Sequence, residues 1–534
     1  MERRFNTAGP NVPADNYTLD PLTRFDLDEM LDLIRMKRYF VLHAPRQSGK
    51  TSCLLTLRDY LNGQDDYIAV YANVEGGQAA RNDVETVITG ICETLADRAA
   101  VVTNDSTPYE ALKAVKGLSS TSMLTAYLRR LAAALPKPLV LFIDEIDALV
   151  GDSLVSVLRQ LRAGYDERPA RFPQSIVLCG VRDVRDYRIV LSNQDIITGG
   201  SAFNIKAESL RLGNFTPDEI RALYGQHTAE TGQVFEEECF PLVWQATEGQ
   251  PWLVNALAHE VTYKMRENRD RTVRITAEMM YRAQERIIYR RDTHIDQLID
   301  KLREPRVKRV IEPIIANSDN VQQQDIPDDD IMYCTDLGLV KKETGRPLRI
   351  ACGIYREIIP RELTWSKQQT MITQEPVWYL NADGSLNIEK LLLDFQQFFR
   401  QNADSWIGQF DYAEAGPQLL LQAFLQRVVN GGGYIDREYG LGRRRTDLLI
   451  RKPLTDGYGG PIQRVVLELK ILRGDLEKTI EKGLEQTSAY MDLVGAVDEG
   501  HFIVFDRSGN KTWDERIWHE PRQYQGRSIM VWGM

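Results

Sequence analysis

The pattern of apolar and polar residues over the first 210 positions predicts strands that alternate with helices. Residues 27–36 have the apolar spacing of a short amphipathic helix, and residues 84–100 form a second predicted helix. Compact apolar runs predict buried strands at 39–43, 67–75, 138–147 and 175–181. Because helices that connect parallel strands cover both faces of a sheet, this order favours an α/β domain with a parallel sheet.

From residue 211 onward the pattern becomes purely helical and predicts a helical lid. In the stretch RLGNFTPDEI, Thr216 has the position of an N-cap and Pro217 that of the first helical residue. Asp218 and Glu219 then favour the positive end of the helix. A helix is therefore predicted to begin at Pro217.

Residues from about 301 to 363 predict a winged helix. Two helices precede DLGLVKKETGRPLRIACGIYREII, in which two strands of alternating apolar residues flank a Gly-Arg-Pro turn. A polar, turn-rich stretch then separates a last domain. Its predicted elements are helices at 388–399 and 417–429, strands at 433–440, 446–452 and 464–470, a helix around 484–494 and a final strand at 501–506.

These patterns predict an α/β multidomain protein, because 534 residues exceed what one hydrophobic core can hold. The predicted domains are a parallel-sheet core at 1–210, a helical lid at 211–292, a winged helix at 293–365, a linker at 366–376 and a mixed α/β domain at 377–534.

The composition favours a folded cytoplasmic protein with no membrane partner. The N-terminus lacks the apolar core of a signal peptide, and no apolar run approaches the ~20 residues that span a bilayer. Six cysteines without a CxxC pair predict buried free thiols. The net charge of −10 means that a nucleic acid would have to be met by local basic patches.

The strand at 39–43 runs directly into a segment with the chemistry of a phosphate-binding loop. Such a loop needs small residues whose N–H groups converge on phosphate oxygens, a lysine for the terminal phosphates and a hydroxyl for Mg²⁺. Lys50 and Thr51 supply the last two, while Ala44 replaces the first glycine of GxxxxGKT. The residues predicted to bind nucleotide are Ala44, Pro45, Arg46, Gln47, Ser48, Gly49, Lys50, Thr51 and Ser52.

A second motif weighs against a chance match in that loop. The apolar strand LVLFI ends in Asp144 and Glu145. A carboxylate at such a strand tip can hold Mg²⁺ through water, and the next can orient the water that attacks the γ-phosphate. The two motifs therefore predict binding of a nucleotide that carries a γ-phosphate, with Thr51 and Asp144 as the predicted Mg²⁺ contacts and Glu145 as the catalytic residue.

Together the two motifs resemble the AAA-like P-loop ATPases of the additional-strand class, near the origin-recognition and signal-transduction branches. The resemblance implies a γ-phosphate sensor after the fourth strand, where Arg182 stands, although a pair between Arg182 and Asp183 is an equal alternative. Gly249, Gln250 and Pro251 resemble the GxP element at which a lid contacts nucleotide, or they simply start a helix. Formation of a homo-oligomer stays open.

The strand RVVLELK places Glu468 and Lys470 on one face, because side chains two apart in a strand point the same way. Asp447 opens the preceding strand, so hairpin pairing would bring it beside Glu468. Two carboxylates suit Mg²⁺ or Mn²⁺, and a nearby lysine can position and deprotonate water for attack on a phosphodiester. The alternative is a cross-strand salt bridge, but apolar residues line both faces of this strand.

These residues resemble the PD-(D/E)xK nuclease superfamily, with Thr446 in place of the proline. Gln486 and Tyr490 lie four apart on one helix face and resemble the QxxxY motif of one branch. The resemblance implies a restriction-endonuclease-like fold, with Glu414 as a further metal ligand and Glu438 as its rival. The residues with implied catalytic roles are Asp447, Glu468, Lys470, Gln486 and Tyr490.

The two resemblances imply an ATP-regulated, metal-dependent nuclease that acts on DNA, with RNA as an open alternative and anti-phage defence or control of mobile DNA as the setting. The arginines at 443–445 precede Asp447 and would neutralise phosphates, and a basic helix at 303–309 is either a second contact or a solvated face. The competing hypothesis is a nucleotide-dependent switch that binds DNA or protein with an inactive nuclease fold.

Overall fold

The computed structural model describes residues 2–183, 188–190, 196–198, 203–290, 298, 300–315, 326–343, 348–360, 379–407, 417, 420–422, 424–425, 434–436, 448–454, 461–472, 474–494, 499–506 and 511–534. The chain divides into two compact units. The first comprises Met1–Trp244 and Glu248–Met280, and the second comprises Gln245–Thr247 and Tyr281–Met534.

The elements up to residue 290 belong mainly to the first unit. Its strands are β1 (Arg4–Phe5), β2 (Asn16–Tyr17), β3 (Tyr39–His43), β4 (Ile68–Asn73), β5 (Leu139–Asp144), β6 (Ser175–Gly180), β7 (Arg188–Val190), β8 (Ile196–Thr198) and β9 (Lys206–Arg211). The helices are α1 (Leu27–Arg35), α2 (Lys50–Gly63), α3 (Val84–Thr103), α4 (Thr107–Lys113), α5 (Met123–Ala134), α6 (Gly151–Ala163), α7 (Pro217–Thr231), α8 (Cys239–Thr247), α9 (Pro251–His259) and α10 (Ala277–Arg290).

A five-stranded parallel sheet forms the centre of this unit, in the order β4-β5-β6-β3-β9. Along β3, Val41 packs into a cluster with residues of α3, α5 and α6, whereas Phe40 and Leu42 pack into a cluster with α1 and α2. Because both faces are covered, the strands β3 to β6 are apolar along most of their length, as buried parallel strands require. The four predicted strands are confirmed, and β9 is a fifth that the apolar pattern did not indicate.

Helix α7, the first helix of the predicted lid, begins where its capping residues predict. Thr216 accepts a hydrogen bond from the N–H of Glu219, and the Glu219 side chain accepts one from the N–H of Thr216. Pro217 is the first helical residue, and its lack of an N–H is harmless there. This reciprocal capping box satisfies two N–H groups that a helix start leaves unpaired.

The second unit includes α10 from Tyr281 onward and continues with α11 (Pro305–Ile315), α12 (Asp328–Asp336) and the antiparallel pair β10 (Val340–Lys341) and β11 (Arg349–Ile350). The Gly-Arg-Pro turn lies outside the described residues. The prediction of a strand through residue 359 is wrong, because residues 353–360 are helical. Residues 354–360 are all buried, and a run buried on every side has no period that separates helix from strand.

The rest of this unit is a six-stranded mixed sheet with helices on both faces. Its elements are α13 (Ile388–Ile407), β12 (Tyr434–Asp436), β13 (Leu448–Pro453), β14 (Ile462–Ile471), α14 (Leu476–Val494), β15 (Glu499–Phe505), α15 (Trp513–Arg516), β16 (Trp518–Tyr524) and β17 (Arg527–Gly533). The strand order is β12-β13-β14-β15-β17-β16. On one face Val466 and Phe502 share a core with α14, and on the other Phe505 contacts Phe399 of α13, with ring centroids 5.4 Å apart.

The prediction that the strand at 501–506 is the last one is wrong. Two further strands follow, β16 and β17, which form an antiparallel hairpin. The turn residues Gln525 and Gly526 both have positive φ, 49° and 80°, as the favoured two-residue hairpin turns require. In the described part of the chain, no helix is long and apolar enough to cross a bilayer.

Candidate functional site

The phosphate loop joins the end of β3 to the start of α2. Ala44 donates its N–H to Gly180 O of β6 at 3.3 Å, which fixes the loop's first residue to the sheet. Gln47 and Gly49 have φ values of 57° and 92° in the left-handed region. In a backbone of this conformation, successive N–H groups point into the same concavity, which attracts anions. Glycine adopts positive φ without strain, whereas Gln47 does so at a cost of the kind that functional loops accept.

Lys50 is buried at the first position of α2 and reaches back over the loop. Its Nζ donates to Ala44 O at 2.9 Å and to Pro45 O at 3.0 Å. The ammonium group is therefore held inside the curve of the loop, beside the N–H groups that would receive phosphate oxygens.

Asp144, at the end of β5, is fully buried and joins three elements. Its Oδ2 accepts hydrogen bonds from Thr51 Oγ1 at 2.7 Å and from Tyr71 OH at 2.8 Å, and its Oδ1 accepts one from the N–H of Glu145 at 2.9 Å. A hydroxyl and a carboxylate in contact are hard oxygen ligands of the type that Mg²⁺ takes. The residues at this point fit a Mg²⁺–nucleotide site.

Glu145 directly follows that carboxylate and has an unusual backbone. Its φ of 58° lies in the left-handed region, which is uncommon for a residue with a side chain. Burial, together with the negative charge of Asp147, raises the pKa of the Glu145 carboxyl above its ordinary value. A carboxylate with a raised pKa is a stronger base and can therefore accept a proton from water more readily.

Residues 32–360 match the sequence model of a family described as an AAA-like domain, which is more than half of the chain. The chain belongs to the AAA-like domain family. The α/β P-loop fold and the nucleotide-binding loop of this AAA-like protein agree with that membership. No curated protein matches the chain.

Several solved structures are similar to this AAA-like protein at low identity. The Walker-type ATPase of Pyrococcus abyssi has 14% identity and a TM-score of 0.45, with 66% of this chain and 99% of that chain covered. The ORC2 protein of Aeropyrum pernix has 14% identity and a TM-score of 0.40, with 64% and 94% covered. Cdc6p of Pyrobaculum aerophilum has 16% identity and a TM-score of 0.35, with 66% and 94% covered. The family assignment rests on the sequence match.

Residues 249–251, which resemble the GxP element of a lid, lie at the start of α9 in this protein. Gln250 caps the helix by accepting the N–H of Leu253 at 2.6 Å, and Pro251 is its first residue. Gly249 has φ 74°, and a Cβ there would lie 1.9 Å from Phe215 O. Only glycine allows this approach, by which Phe215 donates its N–H to Gly249 O at 2.8 Å. The element is therefore locked to the segment that leads into the lid.

Arg24 is a residue of this site that sequence reasoning missed. Its guanidinium donates to Gly213 O at 2.6 Å, lies 3.5 Å from Ser48 O of the phosphate loop, and stacks over the ring of Phe215 with 4.5 Å to the centroid. Burial lowers its pKa from the ordinary arginine value. Arg24 thus links the loop to the segment that leads into the lid. No sequence motif indicates Arg24, because it lies upstream of the phosphate loop and its partners, Ser48 and Gly213, are distant in sequence.

Arg182, the predicted γ-phosphate sensor, is half-buried and lies two residues beyond β6. The neighbouring Val181 donates its N–H to Asp147 Oδ1 at 3.1 Å. The end of β6 and the turn that follows Glu145 are therefore held together, and Arg182 stands close in sequence to that junction.

In the second unit the structure brings part of the predicted nuclease set to one sheet face. Glu468 is fully buried on β14, on the face of Val466 that α14 covers, and Lys470 is half-buried two residues on. Tyr490 of α14 is buried in the same core, and Gln486 lies one turn before it.

The other predicted members of that set lie outside the described residues: Asp447, Glu414, Glu438, Arg443, Arg444 and Arg445. Leu448, the residue after Asp447, pairs with Leu467, the residue before Glu468. Within the described ranges no group of three or more His, Cys, Asp or Glu side chains is placed to hold a metal ion.

The basic helix α11 is engaged within its own unit. Arg306 and Arg309 both contact the buried carboxylate of Asp330 in α12, at 3.2 Å and 2.7 Å. Arg306 also stacks over the ring of Tyr333 at 4.0 Å. Arg306 and Arg309, two of the basic residues considered as nucleic-acid contacts, therefore hold α11 to α12.

Proposed function

We propose that this AAA-like protein hydrolyses ATP and uses the nucleotide state to control a metal-dependent nuclease in its C-terminal unit, with DNA as the substrate. The ATPase half rests on one observation, the contact of Thr51 Oγ1 with Asp144 Oδ2 at the mouth of the phosphate loop. The hydroxyl and the carboxylate are the two protein groups that a P-loop site uses for Mg²⁺.

Each loop residue has a distinct part in this proposal. The backbone of residues 44–49 cradles the phosphates, Lys50 neutralises the terminal ones, and Thr51 and Asp144 would hold Mg²⁺, which neutralises charge that develops on the phosphates. Glu145 orients water for attack on the γ-phosphate, and Arg182 and Pro251 complete the proposed nucleotide contacts. Proximity and electrostatics supply nearly all of the catalysis in such a site.

The ATPase half is tested by phosphate release and by binding of a fluorescent ATP analogue. We expect Lys50→Ala to lose both, because the loop then lacks its fixed cation. Lys116→Ala is the matched control, since Lys116 is an exposed lysine of the same unit. Equal ATP turnover in the two variants would overturn this half of the proposal.

The nuclease half is supported by a buried carboxylate where a purely structural strand would carry an apolar residue. Burying a charged carboxylate costs several kcal/mol unless other groups compensate, and here Glu468 shares its face with Lys470 under the helix that carries Gln486 and Tyr490. The proposal makes Asp447 the cross-strand neighbour of Glu468, with Glu414 as a further ligand, and Mg²⁺ or Mn²⁺ as the ion that activates water.

This half is tested on plasmid and linear DNA and on RNA, with Mg²⁺ or Mn²⁺, with and without ATP. We expect wild-type protein to cut and Glu468→Gln and Lys470→Ala to be inactive. Glu481→Gln and Lys482→Ala, on the exposed side of α14, are the matched controls and should cut normally. If wild type cuts no better than Glu468→Gln, the nuclease half fails. ATP-dependent DNA binding without cutting would instead favour a nucleotide-dependent switch.

A further inference from the structure

A cavity of about 160 Å³ lies between the N-terminal strand and the lid of the first unit, away from the phosphate loop. Four arginines from two separate segments line it: Arg3, Arg4, Arg269 and Arg271. We refer to it as the arginine pocket. A cavity of this size has room for a phosphate group together with a few waters.

The charge in the arginine pocket is only partly matched. Arg3 pairs with Glu230 at 2.7 Å, and Arg271 pairs with Glu2. Arg4 and Arg269 have no carboxylate within 4 Å among the residues that the structure describes. Both of these guanidinium groups lie over the ring of Tyr263, at 4.2 Å and 4.8 Å from its centroid.

The wall that carries Tyr263 has an unusual backbone. Residues Glu260–Lys264 form a π-helical turn, which is rare and occurs often at functional sites. The turn places Thr262 and Tyr263 at the pocket, and after the extended residue Met265 comes a 3-10 helix, Arg266–Arg269. The pocket floor contains Phe5, Tyr17 and His227, all buried. Burial lowers the pKa of His227, which favours the neutral form of the ring.

We propose that the arginine pocket binds a phosphate group, with Arg4 and Arg269 as the two guanidiniums that hold it. Arginine presents N–H donors in a planar fork that matches phosphate oxygens, and its weak hydration favours this role over lysine. The proposal does not depend on the proposed ATPase or nuclease activity. The phosphate belongs either to a small free anion or to the end of a nucleic-acid strand, and the test separates these sources.

The first arm of the test is calorimetric titration of inorganic phosphate into the full chain saturated with Mg²⁺ and AMPPNP, so that the phosphate loop is already occupied. We expect saturable binding that weakens about tenfold in Arg4→Gln and again in Arg269→Gln, since each loses charge-assisted hydrogen bonds. Arg221→Gln is the matched control. Arg221 also stacks on an aromatic ring of the lid, Phe240 at 4.3 Å, but it does not line the pocket.

The second arm measures fluorescence anisotropy of a short oligonucleotide with and without a 5′-phosphate. Arginine-dependent preference for the phosphorylated strand assigns the phosphate to a nucleic-acid end, and binding of inorganic phosphate alone assigns it to a small anion. Melting temperatures without ligand check that each variant folds. If Arg4→Gln and Arg269→Gln bind both probes as tightly as Arg221→Gln does, or if the wild type binds neither probe, the proposal is overturned.

Discussion

Thr51 Oγ1 donates a hydrogen bond to Asp144 Oδ2 at 2.7 Å, and this contact ties the first turn of α2 to the tip of β5. The same oxygen accepts Tyr71 OH at 2.8 Å. Two hydroxyls therefore converge on one carboxylate oxygen, but only Thr51 follows the loop lysine. The pair offers a way to separate a Mg²⁺ contact from an ordinary buried hydrogen bond.

We expect Thr51→Ala to lower Mg²⁺-dependent ATP turnover at least about a hundredfold, because it removes a proposed Mg²⁺ contact. Tyr71→Phe also removes one hydrogen bond to Asp144 and should cost about 1 kcal/mol of stability while turnover stays near that of the wild type. Phosphate release across a Mg²⁺ titration measures the difference. Similar turnover in both variants would mean that Thr51 is only structural.

Arg24→Ala should raise the KM for ATP more than it lowers kcat. Arg24 bridges Ser48 O and Gly213 O, so its loss frees the phosphate loop from the segment that enters the lid. A hydrogen bond from a charged group contributes about 1.5–3 kcal/mol, which predicts a fall in kcat/KM of about ten- to a hundredfold. Arg24→Lys keeps the charge but cannot span both carbonyls and should recover little.

The control for this prediction is Arg35→Ala, because Arg35 is exposed and pairs with the nearby Asp32 in α1. Hydrogen exchange of the lid gives a second readout. In the wild type, ATP should protect the start of α9, and in Arg24→Ala that protection should be lost. If kcat and KM for ATP are the same in Arg24→Ala as in Arg35→Ala, the contacts of Arg24 with Ser48 O and Gly213 O do not contribute to ATP hydrolysis.

Sequence patterns predicted the features that depend on neighbours along the chain. The buried strands β3 to β6 read as apolar runs, and the capping box of Thr216 and Glu219 was visible from residue types three apart. The strand β9 was missed because it lies at the edge of the sheet, where residues 207–211 are largely exposed and no apolar run is needed.

The features that were missed at the sites depend on contacts between distant segments. Arg24 reaches Gly213 across 189 positions of sequence, and no local pattern encodes that approach. The arginine pocket likewise joins residues 2–5 to residues 259–271. Its arginines come from two distant segments, and neither segment has a sequence motif that indicates a binding site. The strand β14 and its charged residues were singled out from the sequence because charges in an apolar strand are visible without any knowledge of distant contacts, and the structure confirms the strand.

Two glycines in helices should respond to alanine in opposite directions. A Cβ on Gly483 of α14 would lie 2.4 Å from the buried ring of Phe502, whereas a Cβ on Gly90 of α3 would meet nothing within 4 Å. We expect Gly483→Ala to cost about 1–3 kcal/mol through overpacking, and Gly90→Ala to stabilise by up to about 1 kcal/mol through helix propensity.

Thermal unfolding of the two variants measures this difference. Because α14 carries Gln486 and Tyr490, Gly483→Ala should also reduce any DNA cleavage, while Gly90→Ala should leave cleavage unchanged. A rise in melting temperature for Gly483→Ala would contradict the close packing of α14 on β15.

The raised pKa of Glu145 predicts the pH dependence of ATP hydrolysis. The carboxylate must be deprotonated to accept a proton from water, so turnover should rise with pH through the raised pKa, above the ordinary glutamate value of about 4.3. Glu145→Gln should keep ATP bound, lower turnover about a hundredfold or more and lose this acid limb.

Asp147→Asn provides the sharper test, because it removes a negative charge that helps to raise that pKa while an amide oxygen can still accept the N–H of Val181. The acid limb should move to lower pH in this variant. The free energy of unfolding provides an independent test of the raised pKa. When the pKa of a carboxyl is higher in the folded than in the unfolded protein, the protein becomes less stable as pH rises from the unfolded pKa through the folded pKa. Glu145→Gln should therefore raise the melting temperature at pH 7 relative to the wild type, with no gain below pH ~4. An acid limb that stays in place in Asp147→Asn would assign the titration to another group.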